Sequence, residues 1–398
     1  MTPGGRVPLG VHVCTRNRPR SVRLLLADLA AVLDGFDATV TLYDDSTTAS
    51  WRAASRAACA AAAVEVRYFG EAERRELVAS AAAALPSARE CLAVSRPLGT
   101  RGWDLAGVRF TAMLDAALDR EPATAHLFLD DDIRLAECSY GGERLAVDAR
   151  TLGEALREEA GSKGLLAAGA PFLGRADLSA LEHFEAFLDR VLCDEPVAGL
   201  RGPNAVANTG SSASFPVVTT SVAHVHPDSP GISGGFLLTT RGALRTVPLA
   251  KSYNEDWMWL RQLAAAGGRI RKLDVAVVHA GPRHFRLSSA GLFLQFEGEV
   301  LDLTLARSAG SQTSVTRTVD DAFTACADRL GAVAQKARKA AGIVPELVPA
   351  LAALDGAKAR VRRATPAAYA AQLSEHLRRS QQWRAAFAAL GAVPAGGL

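Results

Sequence analysis

The run Leu127-Phe128-Leu129-Asp130-Asp131-Asp132-Ile133 constrains this chain most, because an apolar strand there ends in three consecutive carboxylates. Like charges a few ångströms apart do not all stay ionised without compensation. The ordinary compensator of an all-oxygen cluster is Mg²⁺ or Mn²⁺. The competing reading is a solvated strand end whose acidic residues cap a turn.

At 398 residues the chain has room for two domains, or for one large domain with an appendage. Its residues are 49% hydrophobic, 22% charged and 6% aromatic, the texture of a soluble globular protein with a core of Ala, Leu and Val. A net charge of +3 from 45 basic and 42 acidic residues carries no nucleic-acid signature. Cys14, Cys59, Cys91, Cys138, Cys193 and Cys326 form no CxxC pair and no zinc-like spacing. They are expected as buried thiols in a reducing compartment, which fits the cytoplasm. Met1 to Pro8 lacks the features of an export signal, and no uncharged apolar run reaches the ~18 residues a membrane span needs. No membrane partner is expected.

Val7 to Cys14 is a Val-rich apolar run fit for a buried strand, and Pro19 opens a segment with Leu24, Leu25, Leu26, Leu29 and Leu33 at helical spacing. Ala38 to Tyr43 reads as a second strand, Trp51 to Ala63 as a helix and Val64 to Phe69 as a third strand. Met113 to Leu118 then belongs to a helix that precedes the strand Ala125 to Leu129. This alternation predicts an α/β fold with a parallel sheet of βαβ units. Ligands in such sheets bind at the carboxyl ends of strands, where Thr15 to Pro19, Asp44-Asp45 and Asp130 to Asp132 all fall.

The residues at those ends limit what fills the crevice. Thr15, Arg16, Asn17 and Arg18 supply hydrogen-bond donors and two guanidinium groups, and Asp44 and Asp45 can accept from a base or ribose. A divalent cation on the acidic cluster would hold a diphosphate. A nucleoside diphosphate satisfies all three requirements. The bland readings are a solvated loop for the arginines and a helix N-cap for Asp45-Ser46.

The motifs resemble the family 2 glycosyltransferases of GT-A fold, with a Thr-x-Asn-Arg loop (Thr15 to Arg18), an Asp-Asp-x-Ser-like strand end (Asp44 to Thr47) and a DxD motif (Asp130 to Asp132). The family's Ala-Arg-Asn run corresponds to Ala106 to Phe110, which keeps Arg109 and has Phe110 in place of the asparagine. The resemblance covers about residues 7 to 280. It implies a Rossmann-like, mostly parallel sheet with flanking helices, a nucleotide-sugar donor held by Arg109 and Asp131 among others, and a Mn²⁺ or Mg²⁺ ion on Asp130 and Asp132.

Further along, Gly231-Ile232-Ser233-Gly234-Gly235 leads into the strand Phe236-Leu237-Leu238, and Gly234 and Gly235 let backbone approach a ligand closely. Asn254 can cap a helix whose first turn holds Glu255 and Asp256, with Trp257, Leu260 and Leu263 on its buried side. Acidic residues in a first turn also suit the helix dipole. The resemblance makes Asp256 the catalytic base of an inverting transfer and gives Glu255 an orienting or shared role. It also makes His279, after an expected strand Ile270 to Val278, a candidate metal ligand, with His284 a weaker one; the other reading of His279 is a histidine satisfied in the core. Ala280 to Arg286 reads as a flexible lid whose Arg283 and Arg286 clamp phosphates or decorate a surface.

Cys193 to Pro230, rich in Gly, Ser, Asn and Pro, is expected as an acceptor-facing loop, and its His224 and His226 stay outside the metal assignment. Beyond residue 310 three Ala-rich helical segments, Asp320 to Ala341, Ile343 to Arg363 and Pro366 to Leu390, predict a C-terminal helical appendage. The expected organisation is a catalytic domain over 1–309, divided into a nucleotide-binding half (7–140) and an acceptor half (141–309). The appendage over 310–398 would shape the acceptor site or a homodimer interface.

The expected activity is transfer of a sugar from a UDP-sugar to a soluble small-molecule acceptor, in a texture suggesting specialised metabolism such as antibiotic biosynthesis. A sugar nucleotidyltransferase would need a glycine-rich loop after the first strand, and Thr15 to Pro19 has no glycine. A haloacid-dehalogenase-like phosphatase would carry its acidic motif on the first strand. A non-catalytic binding module would have no need of Asp130, Asp132, Glu255 and Asp256 together.

Overall fold

A computed structural model describes residues 6–92, 105–119, 123, 125–193, 208–209, 212–224, 233–250, 252–308 and 315–392. The chain opens with β1 (Val7–Thr15), α1 (Pro19–Val32), β2 (Phe36–Asp44), α2 (Ala49–Ala60), β3 (Val66–Phe69) and α3 (Glu71–Ala84). Helix α4 (Leu105–Leu118) precedes β4 (Ala125–Asp130), and β5 (Ile133–Arg134) follows, then the hairpin of β6 (Cys138–Tyr140) and β7 (Glu143–Leu145). Next come α5 (Ala149–Ala160), β8 (Leu165–Gly169), β9 (Phe172–Arg175), α6 (Ala180–Leu192), β10 (Asn208–Thr209), β11 (Ser212–Pro216) and β12 (Thr219–His224). Strand β13 (Phe236–Thr240), α7 (Arg241–Thr246), α8 (Glu255–Ala265), β14 (Arg269–Lys272), β15 (Val277–His279) and β16 (His284–Leu287) lead to the final helices. These are α9 (Ser289–Ser308), α10 (Val315–Ala341), α11 (Val348–Val361) and α12 (Pro366–Ala392).

The central sheet has the order β14-β8-β13-β4-β1-β2-β3 and is mostly parallel, with β13 antiparallel to both neighbours. Thr15 pairs with Asp44 and Cys14 with Asp130, so the carboxyl ends of β1, β2 and β4 stand at one level. Because β13 runs the other way, its beginning meets the end of β4, and the Asp130 amide donates to the Gly235 carbonyl at 3.0 Å. The expected convergence of strand ends is present.

Strands buried on both faces read as continuous apolar runs, and β4 is of this kind. Leu127 and Leu129 enter a core with α1 and α5, whereas Phe128 enters the opposite core with Trp259 of α8 and Trp383 of α12. The Trp383 indole donates to the Leu244 carbonyl at 3.0 Å, so the last helix closes one face of the sheet. Helices α10 and α11 share a third core with α6, β11, β16 and α9.

The segment expected as one strand over Ile270 to Val278 is two. Strand β14 edges the central sheet, its Arg269, Arg271 and Lys272 exposed as suits an edge, and β15 joins a four-stranded sheet of order β12-β9-β15-β5. The expected lid over Ala280 to Arg286 contains β16, which pairs with β11 and buries Phe285 and Leu287 on one side. Within the expected loop of 193–230, the described residues form β10, β11 and β12, and His226 lies outside them. Among the described residues no helix is long and apolar enough to cross a membrane.

Candidate active site

A cavity of about 780 Å³ opens at the carboxyl ends of β1, β2 and β4 and runs on to α9 and α10. Of the residues singled out above, Thr15, Arg16, Arg18, Asp45, Arg109, Asp130, Asp131, Asp132, Gly235, Glu255, Asp256 and His279 line it. Asn17, Asp44 and Gly234 stand behind the wall. Asn17 adopts the left-handed conformation, and its carboxamide oxygen accepts from the Thr47 amide at 2.8 Å. Asp44 accepts from the Ser46 amide and from the Tyr68 hydroxyl, both at 2.8 Å. These two residues build the loops that present Arg16 and Asp45, and Asp45 in turn pairs with Arg74 at 3.0 Å and Arg16 at 3.6 Å.

The acidic cluster is balanced by two arginines. Arg18 Nη1 donates to Asp131 Oδ1 at 3.0 Å and Asp132 Oδ2 at 2.8 Å, and Thr15 donates to Asp131 Oδ2 at 2.6 Å. Burial, then the charge of Asp132, pushes the Asp131 carboxyl well above the usual carboxylate range. Burial also opposes ionisation of Asp132, yet the groups around it hold its pKa low. Burial drives His279 down to about 4, so its ring is neutral at neutral pH, and the cations that keep Asp132 ionised are Arg18 and Arg175.

Arg109 is the second balance, and it is 3% exposed. Its Nη2 donates to both oxygens of Asp130, at 2.9 and 3.0 Å, and its Nη1 donates to Glu255 at 2.7 Å and stands 3.8 Å from Asp256. The resemblance implies a diphosphate contact for this arginine; in the structure its donors go to carboxylates. Burial pushes the Glu255 carboxyl up, Arg109 pulls it down and Asp256 raises it again, with a net upward shift.

Asp256 is held by backbone. Its Oδ2 accepts from the Gly234 amide at 2.6 Å and its Oδ1 from the Trp257 amide at 2.9 Å. A Cβ on residue 234 would come within 2.6 Å of Arg109 Nη1 and 2.7 Å of Asp256 Oδ2, so only glycine passes between them. Asn254 takes the N-cap position in the left-handed conformation (φ 62°), and its side chain makes no cap bond. Trp257, expected on the buried side of α8, is half-buried and lines the cavity; Met258, Trp259, Leu260 and Leu263 take the core.

The donor set for a divalent cation is present in part. Asp132 Oδ1 faces His279 Nε2 at 3.8 Å, and a neutral imidazole beside a carboxylate suits Mn²⁺. Asp130 is engaged by Arg109, and no group of three or more His, Cys, Asp or Glu among the described residues is arranged to hold a metal. Asp132 and His279 therefore fit as a half-site that exogenous oxygens would complete.

The far end of the cavity was not legible in any motif. It is formed by Tyr253 and Trp257 with Leu294 of α9 and Cys326 and Arg329 of α10. Arg283 lies 5.9 Å over the Tyr140 ring, and His284 is exposed.

No protein-family description and no curated protein matches this sequence. In three dimensions the chain is similar to a mannosyltransferase from Pyrobaculum calidifontis in complex with GDP-Man and Mn²⁺, at 15% identity over 96% of this chain and 88% of that one, with a TM-score of 0.45. It is also similar to glucosyl-3-phosphoglycerate synthase from Mycobacterium tuberculosis. The complex with Mn²⁺, UDP and glucosyl-3-phosphoglycerate aligns at 14% identity over 78% of this chain and 82% of that one, with a TM-score of 0.42. The complex with Mg²⁺ and UDP aligns at 13% identity over 78% and 82%, with a TM-score of 0.41.

Proposed function

We propose that the chain is a GT-A-type glycosyltransferase that moves a sugar from a nucleoside-diphosphate sugar, UDP-linked in the first instance, to a small-molecule acceptor. One observation carries this reading: Thr15, Arg16, Arg18 and Asp45 share a single cavity with Asp130 to Asp132 and with the Glu255–Asp256 pair. Its volume of about 780 Å³ suits a nucleotide sugar at one end and an acceptor at the other.

In this reading Asp45 accepts from the base or ribose, and Arg16 and Arg18 face the diphosphate. Asp132 and His279 are the residues that would hold Mn²⁺ or Mg²⁺, which supplies charge stabilisation to the departing diphosphate. Asp256, oriented by the Gly234 and Trp257 amides, takes the acceptor's proton as the acceptor oxygen bonds to the anomeric carbon. The bond from that carbon to the phosphate oxygen breaks, the nucleoside diphosphate leaves, and the configuration inverts. Glu255 stays with Arg109 as a buried pair behind the base. Residues of α9 and α10 wall the acceptor end in this reading.

The test is a thermal-shift screen of UDP, GDP and their sugar conjugates with and without MnCl₂. A ligand at 100 times its Kd stabilises by about 2.7 kcal/mol, a readily measured shift. No stabilisation by any nucleoside diphosphate in either condition would overturn the reading.

A further inference from the structure

Six arginines line the cavity, and five of them have carboxylate partners: Arg16 with Asp45, Arg18 with Asp131, Arg109 with Asp130, Arg261 with Asp302 and Arg329 with Glu182. Arg175 has no ion pair within 4.0 Å among the described residues, and its Nε is buried without a hydrogen-bond partner. A buried N–H without an acceptor is costly, and Arg175 stands in the cavity wall with only the more distant charge of Asp132 to balance it, so a ligand there completes its bonding.

The backbone fixes where this side chain points. Gly174 before it is left-handed (φ 83°), and a Cβ there would come within 2.9 Å of the His279 carbonyl. After it, the Ala176 amide donates to the Val218 carbonyl at 3.1 Å. A Cβ built on Gly281 would stand 3.1 Å from each of Arg175 Nη1, Asp132 Oδ2 and His279 Nε2. The guanidinium thus sits beside the Asp132–His279 pair, between the nucleotide end of the cavity and the Tyr253 end.

We propose that Arg175 is an oxyanion-binding point that takes a phosphate-type group of a substrate. The inference rests on the glycosyltransferase reading for the identity of that substrate. A guanidinium offers two parallel N–H donors that match a phosphate or carboxylate edge, which a point charge does not. The anion is either the outer phosphate of the donor or an acidic group on the acceptor, and both present the same chemistry to Arg175.

Calorimetric titration of UDP, UMP and inorganic phosphate in MnCl₂ separates the two sources. In Arg175→Gln, affinity is expected to fall roughly 10- to 100-fold, the effect of a lost charged hydrogen bond, with partial recovery in Arg175→Lys. A loss for UDP with UMP unchanged assigns the donor's outer phosphate. Unchanged UDP with loss of phosphate binding to the UDP-saturated protein assigns the acceptor's anion. Wild-type affinity for both ligands in Arg175→Gln overturns the proposal, and Arg175→Met, which keeps the apolar stem, serves if the first variant does not fold. Phosphate bound through Arg175 by a protein that binds no UDP would sink the donor reading alone, and a wild type that binds neither would sink both.

Discussion

Arg109 donates through Nη2 to both carboxylate oxygens of Asp130, at 2.9 and 3.0 Å, and so ties the end of β4 to the start of α8, where its Nη1 holds Glu255. One buried cation serves three carboxylates. Removing it leaves Asp130, Glu255 and Asp256 facing one another without their shared cation, and breaking a buried pair in this way costs about 3–5 kcal/mol. Arg109→Met should lose that much in urea unfolding, and adding Glu255→Gln should restore part of it because the two changes share a partner. A loss within 1 kcal/mol would mean that the carboxylates are neutralised by something else.

Asp132 is the acidic-cluster residue that faces His279, at 3.8 Å. If this pair holds the divalent cation, EDTA should abolish transfer, and Asp132→Ala should weaken Mn²⁺ binding measured by electron paramagnetic resonance while circular dichroism stays native. Transfer at the full rate in chelator would remove the metal from the reaction.

The strand ends were legible because of register. Once β1, β2 and β4 are read as parallel, their carboxyl ends fall on one edge of the sheet, and the register sets Thr15 beside Asp44 and Cys14 beside Asp130. Which neighbour faces the cavity was not legible, because direction reverses from one residue to the next along a strand and the turn decides the rest. Asp44 turns to the Ser46 amide and the Tyr68 hydroxyl, and Asp45 lines the cavity. The turn residues Gly281-Pro282 mask the alternation in His284-Phe285-Arg286-Leu287, whose two apolar residues are buried in β16. Arg175 and the α9 and α10 walls belong to no local pattern; tertiary packing brings them to the site from distant parts of the chain.

His183, fully buried on α6, gives a pH prediction. Its Nδ1 accepts from the Val218 amide at 3.0 Å, so the neutral ring carries its proton on Nε2, and protonating Nδ1 would set two donors against each other. Burial, then Arg175, lowers its pKa to about 3. The unfolded chain, with a histidine near 6.5, binds the proton first, so this contribution to stability is present above pH 6.5 and is lost as pH falls toward 3. By pH 5 the loss is roughly 2 kcal/mol. Subtracting His183→Gln, which can still accept from Val218, removes the contributions of other groups. Wild type should therefore lose roughly 2 kcal/mol more than the variant between pH 7 and 5, and parallel profiles would show that His183 titrates normally.

Asp256 decides the chemistry. Its carboxylate lines the cavity, and each oxygen already accepts one backbone N–H, from Gly234 and from Trp257. An amide in its place keeps the shape and one of those contacts but cannot take a proton. Asp256→Asn should therefore lower the turnover rate ~10²–10⁴-fold with affinity for UDP nearly unchanged, the pattern of a group needed only in the transition state. Glu255→Gln separates the two carboxylates: it should disturb Arg109 and hence stability, and cost less in rate than Asp256→Asn because Glu255 is 5% exposed and its carboxylate is held by Arg109. Product from the wild-type enzyme should have the opposite anomeric configuration to the donor, read by NMR. Retained configuration would defeat single displacement, and an Asp256→Asn rate near wild type would move the proton to Glu255 or to the acceptor's own surroundings.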